Sequence, residues 1–173
     1  MVFIRIISKK HIYYFIYIYV MYRISNYTTR FLRCAGQLNQ MVIGWFERHS
    51  GISWIATIII GIAIFYISSL TFAQVPVVFR INWKTIFYHF AVFFFFSFFL
   101  HISLIKGKNI TFILPSIIIG IIYGLSDEIH QLFVPGRFCS FSDWMLDTSG
   151  ILLASLVYLI YINYKTSRQN LKF

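Results

Sequence analysis

Residues 110–164 read ITFILPSIIIGIIYGLSDEIHQLFVPGRFCSFSDWMLDTSGILLASLVYLIYINY, which is two long apolar stretches joined by a polar, acidic segment. Each apolar stretch is close to the length of about 20 residues that a helix needs to cross the hydrocarbon core of a membrane. A segment inside a bilayer must satisfy its own backbone hydrogen bonds, so helix is the expected conformation. The stretch therefore predicts two membrane helices with polar groups gathered where they meet.

The composition of the whole chain extends this prediction to a membrane bundle. The 173 residues are 59% hydrophobic and only 12% charged, and the mean hydropathy is +0.75. A soluble domain of this length would need more charge to cover its surface. Apolar spans at about 51–72, 85–105, 110–133 and 143–164 predict an all-α integral membrane protein with about four transmembrane helices.

The distribution of basic residues predicts how the bundle is oriented. A net charge of +10 would suggest nucleic acid in a soluble protein, but here Lys and Arg flank apolar spans, so we expect no nucleic-acid partner. Only Arg80, Lys84 and Arg137, of 15 basic residues, fall on the side that carries the acidic segment. The bias predicts that both termini are cytoplasmic and that the acidic segment faces outwards.

The chain is predicted to have three parts. Residues 1–50 form a basic N-terminal extension, whose apolar segment at 12–22 has only 11 residues and could be a short signal-like or interfacial helix, with a fifth span as the alternative. Met41 is an alternative start, so the native status of residues 1–40 stays open. Residues 51–164 form the transmembrane domain, and residues 165–173 form a basic cytoplasmic tail.

The acidic segment, residues 127–147, holds four of the five acidic residues and is the candidate functional site. Ionised groups within a membrane helix cost about 2.5–3.5 kcal/mol each on insertion scales. Asp127, Glu128, His130 and Gln131 fall on one helical arc of about 160°. We interpret Glu128, His130 and Asp127 as candidate acid–base groups. The alternative is a helix end that reaches headgroup water, although acids at a helix C-terminus oppose its dipole.

Further polar residues are candidates for binding a substrate. Arg137 follows a Val-Pro-Gly turn and could bind a phosphate or carboxylate, or contact lipid headgroups. Asp143 and Asp147 share a helix face, although the spacing of Ser140 and Asp143 is also typical of a helix cap. The candidate substrate-binding residues are Arg137, Gln131, His89, Asp143 and Asp147.

The same carboxylates are candidate ligands for a divalent cation. Asp127, Glu128 and Asp143 offer the oxygen ligands that hard cations prefer, and such an ion could lie beside a phosphate. The sequence leaves open whether a metal binds and whether any reaction is catalysed.

Residues 123–137, YGLSDEIHQLFVPGR, followed by Asp143 and Gly150, closely resemble the signature of the VanZ-like membrane proteins. The resemblance covers about residues 50–164. It implies a multi-pass protein of the bacterial cytoplasmic (inner) membrane, in a family whose founding members are associated with low-level resistance to teicoplanin-type glycopeptides. It leaves the biochemical activity open.

Two functions are consistent with these features. In the first, the outer polar site binds or modifies a lipid-linked cell-wall precursor, with the bilayer as the protein's constant partner. In the second, the protein is a non-enzymatic scaffold or interaction protein, and the acidic motif is a structural polar network. A small transporter subunit fits less well, because the acids lie near one interface rather than at mid-membrane. The sequence leaves the oligomeric state open.

Overall fold

The computed structural model describes residue 23, residues 36–37, residues 40–71 and residues 83–170. The four long helices in these parts are α1 (Ser50–Ser68), α2 (Trp83–Ile105), α3 (Ile113–Gln131) and α4 (Phe141–Asn170). All four are long and apolar enough to cross a membrane, which confirms the predicted all-α bundle. The apolar segment at 12–22 lies outside the described residues.

Two helix ends differ from the predicted bounds. α1 ends at Ser68 rather than near residue 72, and the hydroxyls of Ser68 and Ser69 both donate to the carbonyl of Phe65 in its last turn. Such side-chain bonds compete with the helical backbone pattern and favour helix ends. α4 runs to Asn170 rather than ending near residue 164.

The compact unit that contains the bundle begins at Val42, and residues 42–48 are helical. Glu47 in this segment is buried, and its carboxylate accepts hydrogen bonds from the hydroxyls of Tyr158 at 3.0 Å and Tyr161 at 3.2 Å. Lys165 forms an ion pair with the same carboxylate. The segment before α1 and the last turns of α4 therefore meet at one end of the bundle, and Lys165, in the added part of α4, takes part in this contact.

α2 is the central helix, because it packs against α1, α3 and α4, while α3 also packs against α4. Two apolar clusters fill the interfaces, one around Phe93 and Ile151 and the other around Ile102 and Tyr158. Many large apolar side chains on α1 point outwards instead, such as Ile62 at 63% exposure. That outward face is suited to contact with lipid hydrocarbon.

α2 and α4 are in close contact at Gly150. A Cβ atom at this position would collide with the backbone carbonyl oxygen of Phe90. Small residues at membrane helix interfaces allow such backbone contact. The absence of a side chain at Gly150 is therefore what permits the α2–α4 packing at this level.

We predict that Gly150→Ala destabilises the bundle by about 1–3 kcal/mol, the usual range for overpacking. The matched control is Gly51→Ala, because a Cβ there would meet nothing within 4 Å. Thermal unfolding of detergent-solubilised protein, followed by size-exclusion chromatography, measures the difference. An unchanged melting temperature in Gly150→Ala would show that the helices are not in backbone contact.

Candidate functional site

The candidate site lies at the end of the bundle where α1 ends, α2 begins, α3 ends and α4 begins, opposite the Glu47 contact. His89, Asp127, Glu128, Gln131 and Asp147 are all buried there. They come from α2, α3 and α4, which are far apart along the chain. Burial of this many polar groups at one end requires that they contact one another.

His89 and Asp147 form the contact between α2 and α4. Nδ1 of His89 lies 3.0 Å from Oδ1 of Asp147, and the side chains are 5% and 0% exposed. Nε2 of the same ring lies 4.0 Å from Oδ2 of Asp143, one helical turn earlier on α4. The predicted common face of Asp143 and Asp147 is therefore turned towards the ring of His89.

Gln131 and the Ser140 backbone hold the carboxylates of α3. Nε2 of Gln131 donates to Oδ2 of Asp127 at 3.1 Å and to Oε1 of Glu128 at 3.3 Å. The backbone N–H of Ser140 donates to Oε2 of Glu128 at 2.8 Å. Glu128 thus joins the end of α3 to the segment that begins α4, so both of its oxygens have partners.

The start of α4 shows half of the predicted capping arrangement. The hydroxyl of Ser140 accepts a hydrogen bond from the backbone N–H of Asp143 at 3.3 Å. In a full capping box the carboxylate of Asp143 would accept from the Ser140 N–H in return. Glu128 takes that N–H instead, and the carboxylate of Asp143 lies near His89.

Several buried oxygens at this end have no hydrogen-bond partner in the described parts of the chain. They are Oδ1 of Asp127, Oδ2 of Asp147, the hydroxyl of Tyr88 and Oγ1 of Thr148. Leaving a buried polar atom unpaired costs about 1–3 kcal/mol, so native proteins usually complete such groups with water, an ion or a ligand. The acidic cluster is therefore incomplete as a purely internal network.

Arg137 contacts the end of α1. Its Nη2 donates to the carbonyl oxygen of Ile67 at 2.7 Å, and its Nε donates to that of Leu70 at 3.3 Å. Gly136 immediately before it has a φ of 83°, so the turn needs glycine there. The predicted turn thus delivers the guanidinium to one carbonyl in the last turn of α1 and one just beyond its end. Phosphate binding by the half-buried Arg137 stays a prediction.

His130 lies on the α1 side of α3. Its Nε2 is 3.0 Å from the hydroxyl of Ser69, and its ring stacks on Phe65 at 4.5 Å between centroids. Asp127 was placed on the same helical arc as His130, but the carboxylate of Asp127 bonds to Gln131. Among the candidate acid–base groups, the structure brings Glu128 and Asp127 together and sets His130 apart.

Three buried groups are arranged so that they could hold a metal ion. His89, Glu128 and Asp147 each offer one ligand atom, and these atoms lie within 4.8 Å of one another. Of the predicted metal ligands, only Glu128 belongs to this group. Asp127 and Asp143 lie beside it, through Gln131 and His89 respectively.

One buried histidine near the end of α2 was not among the predicted site residues. His101 is fully buried, and its ring nitrogens lie 2.7–3.1 Å from the hydroxyls of Ser97, Ser116 and Ser155. The Ser97–His101 spacing of four residues places both on one helix face and is a signal that could have found this contact. Hydroxyls surround the ring, so we assign it to packing between α2, α3 and α4.

Comparison with known proteins identifies the family. No curated protein and no solved structure matches the chain. A family model described as VanZ/LLP1 matches residues 11–162, so it begins well before residue 50, where the motif resemblance was expected to begin. The match includes every candidate site residue, and the chain belongs to the VanZ/LLP1 family.

Proposed function

We propose that the acidic cluster binds or modifies the headgroup of a lipid-linked precursor of the bacterial cell envelope, and that the protein thereby lowers susceptibility to teicoplanin-type glycopeptides. The observation that carries this proposal is the convergence of His89, Asp127, Glu128 and Asp147 at one end of a membrane bundle, where Asp127 and Asp147 each have a buried oxygen without a partner among the described residues. The resemblance to the VanZ-like family supports the link to teicoplanin-type glycopeptides and the assignment to the bacterial cytoplasmic membrane.

The surroundings of the cluster suit an amphiphilic ligand. Phe133, Phe138 and Phe141 are 79%, 74% and 71% exposed and flank the turn that joins α3 to α4. Exposed apolar side chains such as Phe at a membrane end can insert into the boundary between headgroups and acyl chains. A lipid-linked molecule would place its chain against this apolar rim and its headgroup beside the polar cluster.

The charges of the site assign separate roles to its residues. The basic side chains of Arg137 and Lys84 would attract the phosphate of such a headgroup. Glu128, held by Gln131 and by the Ser140 N–H, is the best-positioned acid–base group if a bond is broken or formed. The bias of basic residues supports an outward-facing position for this end of the bundle, on the side where glycopeptides act.

We predict that expression of the wild-type chain in a glycopeptide-sensitive Gram-positive host raises the teicoplanin inhibitory concentration and that Glu128→Gln returns it to the empty-vector value. The substitution keeps the shape but removes the charge of the group at the centre of the cluster. Glu47→Gln is the matched control, because it makes the same change in the buried carboxylate at the opposite end. Immunoblots of membrane fractions must show equal protein levels. Equal protection by wild type and Glu128→Gln contradicts the proposal.

A non-enzymatic scaffold is the second candidate function, and the internal contacts of the cluster favour it. The His89–Asp147 and Glu128–Ser140 bonds tie α4 to α2 and to α3. Such bonds could serve only to hold the helices in register. Under this function the protein would alter antibiotic access through its surface, and the acids would matter for folding alone.

Asp127→Asn separates the two candidates. The hydrogen-bond partner of Asp127 is Gln131 on the same helix, so we expect this variant to fold at the wild-type level. We also expect it to lose teicoplanin protection, since the charge beside the unpartnered oxygen is removed. Fluorescence-detected size-exclusion chromatography measures the folded fraction, and Asp143→Asn provides a parallel test. Less folded protein with unchanged protection per molecule supports the scaffold.

A further inference from the structure

We infer that His89, Glu128 and Asp147 bind a divalent metal ion between α2, α3 and α4. The role of this ion rests on the proposed function, because the ion would be a cation that a phosphate headgroup can contact. The geometry of the three side chains supports the metal site independently of that function. Each of the three side chains belongs to a different helix, and one ligand atom of each lies within 4.8 Å of the others.

The spacing of the three donors suits a single ion. Metal–ligand bonds to imidazole and carboxylate are about 2.0–2.6 Å long, so ligands on opposite sides of an ion are about 4–5 Å apart. Every pair of donor atoms here falls within that limit. All three side chains are buried, so the protein rather than bulk water would supply most of the first coordination shell.

A second observation points to a missing partner at Asp147. Its side chain is 0% exposed, and Oδ2 has no hydrogen-bond partner in the described parts of the chain. That oxygen lies 3.7 Å from the position a Cβ of Gly124 would occupy, so it faces α3. Glu128 is one helical turn after Gly124 on that helix. An ion between the two carboxylates would satisfy the buried oxygen, which would otherwise cost about 1–3 kcal/mol.

The contacts of His89 resemble those of a metal-binding histidine. Its Nδ1 lies 3.0 Å from Oδ1 of Asp147, a separation that two neighbouring ligands of one ion can have, and the neutral tautomer with its proton on Nε2 leaves the lone pair of Nδ1 to bind the metal. A carboxylate near the other ring nitrogen commonly orients a metal-bound imidazole. Asp143, whose Oδ2 is 4.0 Å from Nε2, is placed for that role.

The donor chemistry indicates which ion is expected. One imidazole nitrogen with two carboxylate oxygens is a mixed set that suits Zn²⁺ or Mn²⁺ better than Mg²⁺ or Ca²⁺, which prefer oxygen alone. Two carboxylates and a neutral imidazole carry a charge that one divalent ion balances. Such neutralisation is the usual condition for burying charge away from water.

Metal content of the purified full chain tests this inference. Protein with a histidine-free affinity tag is loaded with Zn²⁺ or Mn²⁺ in detergent, desalted, and analysed by inductively coupled plasma mass spectrometry. We expect about one ion per chain in wild type and a loss of affinity of about tenfold or more in Glu128→Gln and Asp147→Asn. His49→Ala is the control, because it removes an exposed histidine at the other end of the bundle. The same ion should raise the melting temperature of wild type and His49→Ala.

Wild-type protein that retains no metal after loading overturns the inference, whatever the variants do. Equal retention by wild type and by folded Glu128→Gln also overturns it. The proposed function fails separately. Retained metal without teicoplanin protection supports the metal site and contradicts only the precursor proposal. Teicoplanin protection without retained metal supports the precursor proposal and contradicts the metal site.

Discussion

A carboxylate buried in a membrane bundle needs a partner, and the contact between Asp147 and His89 meets this need while joining α2 to α4. Gly150 lies one helical turn after Asp147 and lets the backbone of α4 reach Phe90 on α2. A larger residue there would separate the helices and lengthen the 3.0 Å bond. One stretch of α4 therefore supplies both the acid and the space that allows it to be paired.

Polar contacts recur at three levels along α4. His89 meets Asp147 at one end, His101 meets Ser155 further along, and the Glu47 contact with Tyr158 lies at the other end. Apolar clusters fill the space between these levels. Apolar side chains fit lipid as well as they fit each other, so they do little to fix which residues face each other. Hydrogen bonds at three separate levels specify the register, because a sliding helix would break all of them.

The helices could be predicted from the sequence, because membrane length and hydropathy depend on neighbouring residues alone. The position of the acidic residues at one end of the bundle could also be predicted, since it follows from the bounds of the spans. The contacts between individual side chains could not be predicted. A guanidinium suits a phosphate or carbonyl oxygens equally, and the carbonyls that Arg137 contacts are nearly 70 residues away. The Ser140 cap likewise has two eligible carboxylates, and only the crossing of α3 and α4 selects Glu128 over Asp143.

The two ends of the bundle differ in how completely their buried acids are paired. Both oxygens of Glu47 accept hydrogen bonds, from Tyr158 on one side and from Tyr161 and Lys165 on the other. At the opposite end, Asp127 and Asp147 each retain a buried oxygen with no partner in the described residues. A contact that only holds helices together is best served by full pairing, as at Glu47. Incomplete pairing weakens a scaffold but suits a site whose last partner is an ion or a headgroup, so the contrast within one bundle favours binding at the acidic end.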